Sequence, residues 1–346
     1  MTTEKTKICT FPFSRYESGE KRTFVPCCSA WLTDEYYALD GGGEYWNGPA
    51  AQELRRRVLA GDYSFCKRDQ CQIPLKTLDE IVADPKGDTG TPISDWNLEV
   101  MKRGNVYMPE GPTTLELSLD VRCNLACPTC RTERYLTLPY WKAEGAVNEL
   151  KLLWKSRSTI QVVKMSGNSE VFFSADQRKM LQNMSRENFP KLDYIHVITN
   201  GLLMDQKTMD ALRPGTDFIE IVSLSIDAAS EAVYAVTRGG DWNRLLRNLA
   251  FIKSLRTSGK LRYFEFLFVV RAANFRDMEK MVSMAYEYGA DRVRFIQFNV
   301  WEMMSIPDYE AEAVHLKGNP HHQEFRDICA KLRDDPKVLL AIDQST

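Results

Sequence analysis

T-L-E-L-S-L-D-V-R-C-N-L-A-C-P-T-C-R, residues 114–131, is the most informative stretch of the chain. Its first residues alternate apolar and polar side chains, a pattern typical of a β-strand. Three cysteines follow, Cys123, Cys127 and Cys130, in the spacing C-x-x-x-C-x-x-C. Three thiolates in one short loop can hold three irons of a cubane cluster and leave the fourth iron without a protein ligand. The loop therefore predicts an open iron–sulfur site; a structural zinc site, which needs a fourth ligand, is the alternative.

Downstream of this loop, β-rich runs alternate with segments of helical periodicity. The predicted strands are Thr114–Leu119, Ile160–Met165, Tyr194–Thr199, Ile219–Ile226, Tyr263–Val270 and Val293–Asn299. The predicted helices between them are Trp141–Ser156, Ser174–Asn188, Asp205–Leu212, Ser230–Arg238, Trp242–Thr257 and Asn274–Tyr288. Strands that alternate with helices predict an α/β fold whose parallel sheet is open or rolled into a partial barrel.

The region before the loop is rich in cysteine. Residues 1–80 contain five of the nine cysteines of the chain, at positions 9, 27, 28, 66 and 71. The first residues lack the apolar core of a secretory signal, so we expect a cytoplasmic protein and metal ligation in preference to disulfides. A zinc ribbon is the alternative for four of these thiolates.

Changes of composition divide the chain into four parts. Residues 81–112 are rich in Gly, Pro, Asp and Thr, which is typical of a linker. We therefore expect a small module over residues 1–80, the linker over 81–112, the α/β domain over 113–300 and a C-terminal extension over 301–346. The 45 basic and 47 acidic side chains nearly cancel, which gives no support for a nucleic-acid partner. No apolar run approaches the roughly 20 residues that span a bilayer, so no membrane partner is expected.

At the cysteine loop the chain resembles the radical S-adenosylmethionine (SAM) superfamily, whose motif is this spacing after the first strand of a (β/α)6 partial TIM barrel. Further landmarks are M-S-G-N-S-E (residues 165–170), I-T-N-G (198–201) and S-L-S-I-D (223–227), followed by Arg238. The resemblance implies a 4Fe–4S cluster held by the three loop cysteines, and SAM bound at its open iron. The residues implied to contact SAM are Ser166, Gly167, Asn168, Ser169, Glu170, Asn200, Ser225 and Arg238.

The N-terminal cysteines and their surroundings resemble the SPASM/twitch extension of radical SAM enzymes, which binds auxiliary 4Fe–4S clusters. The number of cysteines implies one auxiliary cluster, and so two 4Fe–4S clusters in the whole chain. The ligand set implied is Cys9, Cys27, Cys66 and Cys71. We expect Cys28 to pack beneath the cluster, although its exchange for Cys27 as a ligand stays open.

The resemblance implies reductive cleavage of SAM to a 5′-deoxyadenosyl radical, with electrons from a reductase such as flavodoxin or ferredoxin. We expect this radical to take hydrogen from a small polar substrate, such as a sugar, aminocyclitol or nucleoside, giving oxidation or elimination with help from the auxiliary cluster. Their places near strand ends make Asp227 and Glu302 candidate bases, and Arg271 and Gln297 candidate orienting groups.

Two alternatives stay open. The first is a maturase that modifies a peptide or protein; such enzymes often carry a leader-peptide domain, for which the cysteine-rich start and the short tail leave no place. We therefore expect a small-molecule substrate in preference to a peptide. The second is a non-catalytic metal-binding protein, which would have no need for the motifs at residues 165–170 and 198–201.

Overall fold

The computed structural model describes residues 6–18, 24–39, 46–68, 71, 73–85, 92–118, 120–131, 133–165, 169–299 and 304–342. The chain divides into two compact units. The first comprises residues 1–119, 140–167 and 183–195, and the second comprises residues 120–139, 168–182 and 196–346. No helix in the described part of the chain combines the length and apolar character needed to cross a membrane.

Strands and helices alternate along most of the chain. The strands in the described residues are β1 (Arg15–Ser18), β2 (Phe24–Val25), β3 (Thr114–Leu117), β4 (Val162–Met165), β5 (Tyr194–Thr199), β6 (Ile219–Ser225), β7 (Tyr263–Val270), β8 (Arg292–Gln297) and β9 (Val338–Ala341). The helices are α1 (Phe11–Ser14), α2 (Asp34–Ala38), α3 (Pro49–Leu59), α4 (Leu78–Ala83), α5 (Asp95–Lys102), α6 (Tyr140–Lys155), α7 (Ala175–Asn183), α8 (Gln206–Ala211), α9 (Glu231–Thr237), α10 (Trp242–Thr257), α11 (Met278–Tyr288), α12 (Ile306–Glu312) and α13 (His322–Leu332).

In the first unit, β3 lies between β1 and β4 and runs parallel to both, while β2 pairs antiparallel with β1. The apolar side chains of these strands, such as Leu115 and Val163, are fully buried. The opposite face carries charge, because Arg15 forms salt bridges with both Glu17 and Glu116. Lys164 adds a further salt bridge to Glu116 at 3.1 Å.

In the second unit, β6, β7, β8 and β9 pair in parallel in that order. One face of these strands is apolar and fully buried; its members include Val222, Leu224, Phe264, Phe266, Phe268, Val293 and Phe295. Helix α10 begins where the Asp241 carboxylate accepts a hydrogen bond from the Arg244 backbone amide, which satisfies a free donor of the first turn. Helix α11 ends at Gly289, whose φ of 73° is accessible to glycine without strain.

The open parallel α/β architecture confirms the predicted class, a partial TIM barrel. The differences concern single elements. The helix predicted over residues 174–188 ends at Asn183. β1 adds a parallel strand that was not predicted, because the charges of Arg15 and Glu17 break its apolar run. The helix predicted over residues 274–288 begins with a 3-10 turn at Phe275–Asp277 and becomes α-helical only at Met278. The four predicted domains and their boundaries stay predictions.

Candidate functional site

The loop after β3 is held at its start by Asp120, which is 1% exposed. Its carboxylate accepts hydrogen bonds from the backbone amides of Val121 and Arg122, at 2.8 and 2.9 Å. The Arg122 Nε donates to it at 2.7 Å, and the Ser174 hydroxyl donates as well. Burial alone would raise the pKa of Asp120, but the bonds from Arg122 and Ser174 hold it below its ordinary value. A buried carboxylate thus fixes the backbone that leads into the cysteines.

Each cysteine of the loop has an N–H donor near its sulfur. Asn200 Nδ2 lies 3.8 Å from the sulfur of Cys123, and Arg238 Nη1 lies 3.6 Å from that of Cys127. Arg131 Nη2 lies 3.3 Å from the sulfur of Cys130. Burial and the nearby charge of Glu170 raise the pKa of the Cys123 thiol to about 11. Positive and N–H groups stabilise anionic sulfur, so this donor set fits three cluster thiolates.

In the described part of the chain, no three His, Cys, Asp or Glu side chains form a group that could hold one metal ion. A zinc ion gathers its sulfur ligands at about 2.3 Å from one centre, whereas a cubane distributes them over separate irons. The assignment of the loop cysteines to a cluster rests on their spacing and on the donors around them, and it stays a prediction.

Glu170 ties the end of β5 to the segment before α7. One carboxylate oxygen accepts the Thr199 hydroxyl at 2.6 Å, and the other accepts the Asn200 backbone amide at 2.8 Å. The Asn200 side chain in turn donates to Asn124 at 2.9 Å. Burial raises the pKa of Glu170 despite these bonds. Glu170 and Asn200, both expected to contact SAM, therefore connect the cysteine loop to the carboxyl end of β5.

Asp227 and Arg238 form a buried ion pair beside Cys127. Arg238 Nη2 lies 2.7 Å from Asp227 Oδ2, and the carboxylate is 1% exposed. The other oxygen of Asp227 accepts the Val269 backbone amide at 2.7 Å. Two donors close to this pair, Arg238 Nε and the Tyr234 hydroxyl, are buried without a hydrogen-bond partner in the described residues. Buried donors without partners are costly, so they fit a bound group that offers acceptors, such as the SAM carboxylate.

The remaining predicted residues fall into two groups. Ser166, Gly167, Asn168 and Glu302 lie outside the described residues. The others have local partners or end a strand: Ser169 accepts a hydrogen bond from Gln177 at 3.1 Å, Ser225 ends β6, Arg271 pairs with Glu312 at 3.0 Å, and Gln297 donates to Asn299 at 3.4 Å. The structure thus brings four of the predicted residues close to the cysteine loop through hydrogen bonds and an ion pair: Glu170, Asn200, Asp227 and Arg238. The roles predicted for all of these residues stay predictions.

Five cysteines of the first unit, Cys9, Cys27, Cys28, Cys66 and Cys71, influence one another electrostatically. Burial raises the pKa of the Cys9 thiol to about 12, with contributions from Cys66 and Cys71. Burial, Cys9, Cys66 and Cys28 raise the pKa of Cys27 well above its ordinary value. The Arg68 Nη1 lies 3.3 Å from the sulfur of Cys71 and supplies a positive charge. Of these thiols, Cys9, Cys27, Cys66 and Cys71 are the predicted auxiliary ligand set.

Sequence reasoning missed a buried polar group in the second unit. Glu265 is the third residue of β7 and accepts hydrogen bonds from Ser223 and Arg294. The sequence contained a sign of this group, because Glu265 is the one charged residue in the apolar run Y-F-E-F-L-F-V-V of residues 263–270. Sequence reasoning also missed Asp120 and Tyr234, which lie next to predicted residues.

The structure places three closely spaced cysteines on the loop after β3 of an open parallel α/β fold, the arrangement expected of a radical SAM domain. Residues 117–285 match the family model of the Radical SAM superfamily, and they form a radical SAM domain, which implies SAM and one 4Fe–4S cluster. The PqqA peptide cyclase of Granulibacter bethesdensis is 25% identical over 202 residues, which cover 57% of this chain and 50% of that protein. The chain thus spans about half the length of the curated relative it matches.

Two solved structures are also similar. Streptococcus suis SuiB bound to S-adenosylmethionine has a TM-score of 0.45 and 13% identity, and covers 74% of this chain and 58% of its own. The structure anSMEcpe with bound AdoMet and Kp18Cys peptide has a TM-score of 0.41 and 16% identity, and covers 66% of this chain and 63% of its own.

These comparisons correct one expectation from the sequence. We expected a small-molecule substrate in preference to a peptide, but the curated relative is named a peptide cyclase. The preference for a small molecule was wrong because it relied on the expected absence of a leader-peptide domain. The presence or absence of such a domain does not determine which class of substrate reacts.

Proposed function

We propose that this chain is a radical SAM enzyme that modifies a peptide or protein substrate. The observation that carries the proposal is the cysteine loop of the radical SAM domain, with an N–H donor near each sulfur. The relative named as a peptide cyclase supports the choice of a peptide.

The chain's own residues would bind and orient the reactants. Cys123, Cys127 and Cys130 would hold the cluster, and Arg238 would offer its unpaired Nε to the SAM carboxylate while Asp227 fixes its guanidinium. Glu170 would keep the Asn200 backbone at the carboxyl end of β5. When bound, the cluster and SAM supply a one-electron cleavage that yields a hydrogen-abstracting 5′-deoxyadenosyl radical.

We also propose an auxiliary 4Fe–4S cluster in the first unit, ligated by Cys9, Cys27, Cys66 and Cys71. Its support is the mutual electrostatic influence of these thiols and the positive charge of Arg68 beside Cys71. Such a cluster would accept or pass on electrons, which a reductase of the flavodoxin or ferredoxin type would supply in the cytoplasm.

The first test replaces the three loop cysteines. The protein is reconstituted with iron and sulfide without oxygen, reduced with dithionite and incubated with SAM, and 5′-deoxyadenosine is quantified by mass spectrometry. We expect the Cys123→Ala, Cys127→Ala, Cys130→Ala triple variant to produce none, because no protein ligand would hold the cluster that binds SAM. Cys329→Ala removes a buried cysteine of α13 and serves as the matched control. Cleavage at the wild-type rate in the triple variant would refute the proposal.

A further inference from the structure

The strands of the second unit have two very different faces. Phe264, Phe266 and Phe268 of β7 lie on the apolar face and are fully buried. Successive side chains of a strand point to opposite sides, so the residues between them form the second face. On this face the polar side chains include Ser223, Ser225, Tyr263, Glu265, Arg292 and Arg294, and His196 Nε2 lies 2.8 Å from the Ser223 hydroxyl. Central parallel strands are usually apolar on both faces, so this polar face needs a specific explanation.

Glu265 acts on this face as an anchor. Its side chain is 4% exposed, and it accepts the Ser223 hydroxyl at 2.7 Å and the Tyr263 hydroxyl at 3.3 Å. Arg294 Nη2 donates to both of its oxygens, at 3.1 and 3.3 Å. Burial and the charge of Glu265 raise the pKa of Tyr263 to about 12, so its hydroxyl keeps its proton and donates. With its oxygens engaged in this way, Glu265 holds Arg294 in one orientation.

The positive charges of Arg292 and Arg294 are only partly neutralised by their neighbours. The side chain of Arg294 is 39% exposed, and its Nε is buried without a hydrogen-bond partner in the described residues. Arg292 is exposed, and its guanidinium carbon lies 5.9 Å from the centre of the Tyr263 ring. No salt bridge of Arg292 is found within the described ranges. Two cations thus face one anion, and the excess charge points to an anionic ligand.

We propose that Arg292 and Arg294 bind carboxylates of acidic side chains in the peptide substrate; this inference rests on the proposed function. The two arginines are two residues apart on β8, which places them about 6.6 Å apart along the strand. An extended peptide presents every second side chain on one side with the same repeat. The planar guanidinium pairs with a carboxylate through two parallel hydrogen bonds. A substrate segment with acidic residues at alternating positions therefore matches this face.

The test measures binding without chemistry. The reconstituted protein, with no reductant and no SAM, is titrated by calorimetry with the peptide acetyl-Gly-Glu-Gly-Glu-Gly-amide and with its glutamine counterpart. We expect the glutamate peptide to bind about tenfold more tightly, since charge-assisted hydrogen bonds are roughly twice as strong as neutral ones. Arg292→Gln should remove most of this difference and leave binding of the glutamine peptide unchanged.

Two features make the result decisive. Arg292 is exposed and its replacement leaves Glu265 paired, whereas Arg294→Gln would strip Glu265 of its cation. Arg262→Gln is the matched control, because Arg262 is a half-exposed arginine of the same unit that pairs with Glu220 at 3.4 Å. Equal binding of the two peptides, or an unchanged Arg292→Gln variant, would overturn the proposal. Displacement of the glutamate peptide by an equal concentration of inorganic phosphate would also overturn the proposal. Since no cleavage of SAM is involved, failure here leaves the 5′-deoxyadenosine test intact.

Discussion

At the scale of single residues, Asp227 is the most constrained side chain of the site. Its backbone has a φ of 57°, in the left-handed region that glycine, asparagine and aspartate adopt most readily. The same residue neutralises Arg238 and accepts the Val269 amide. Asp227 therefore combines a backbone requirement with an electrostatic one.

This combination predicts an order of stability for three replacements. Asp227→Asn keeps the acceptor for Val269 and tolerates the left-handed backbone, but it leaves Arg238 without its anion, and breaking a buried pair destabilises by about 3–5 kcal/mol. Asp227→Gly and Asp227→Ala lose the acceptor as well, and alanine adds about 1 kcal/mol of backbone strain. Urea unfolding should show that the asparagine variant is the most stable of the three, the glycine variant less stable and the alanine variant the least stable. An alanine variant as stable as the asparagine variant would contradict this account.

The sequence could predict these residues but not their contacts. The resemblance named Arg238 and Asn200, and strand-end position named Asp227, yet the pairing of Asp227 with Arg238 depends on how β6 and α9 meet. The same holds for Gly201. The resemblance includes this glycine in I-T-N-G, but only the structure shows why a glycine is needed there: its φ is 78°, and an added Cβ would lie 2.6 Å from Leu224.

At the scale of elements, Asp291 joins α10 to the start of β7. Its carboxylate pairs with Arg256 Nη2 at 2.7 Å and accepts the Phe264 backbone amide at 2.8 Å. Burial opposes ionisation, but the bonds from Arg256 and Phe264 prevail and lower the pKa of Asp291. This connection holds a helix against the strand that carries Glu265.

We expect Asp291→Asn to destabilise the fold by about 1 kcal/mol at neutral pH, a modest value because the pair is half exposed and screened by water. Since the folded pKa lies below the unfolded value of about 3.9, the contribution is present above that pH and is lost as pH falls through the folded pKa. Urea unfolding across this range should show the difference from wild type shrinking on acidification. Asp217→Asn, in an exposed pair with Arg213 at 2.9 Å, is the control. A difference that stays constant with pH would argue against the linkage.

Most strands were predictable because their apolar runs are continuous. The bounds of β5 and β7 agree with the sequence prediction, and both strands have strong β-branched or aromatic runs. β1 was missed because Arg15 and Glu17 alternate with Tyr16 and Ser18, and their charges are neutralised only by pairing across to Glu116 and to each other. Such pairing joins residues about a hundred positions apart, which local periodicity does not reveal.

At the scale of the whole molecule, the boundaries of the two structural units follow the pairing of strands. The four domains predicted from the sequence follow changes of composition instead. β1 pairs with β3, so residues 1–119 and 140–167 fall into one unit. The N-terminal cysteines and the loop cysteines belong to different units. Two cysteine sets in separate units should bind metal independently of each other.

This independence predicts the iron content of variants. The triple loop variant should still bind about four irons after reconstitution, the content of one cubane, because Cys9, Cys27, Cys66 and Cys71 are untouched. Adding Cys27→Ala to the triple variant should remove this iron, whereas adding Cys28→Ala should leave it in place. The reason is that Cys27 is buried, as Cys9 is, whereas Cys28 is partly exposed. Iron and acid-labile sulfide are measured together with zinc, since four thiolates can also form a zinc site. Zinc without sulfide would exclude the proposed auxiliary cluster, and loss of iron with Cys28→Ala but not with Cys27→Ala would overturn Cys27 as its ligand.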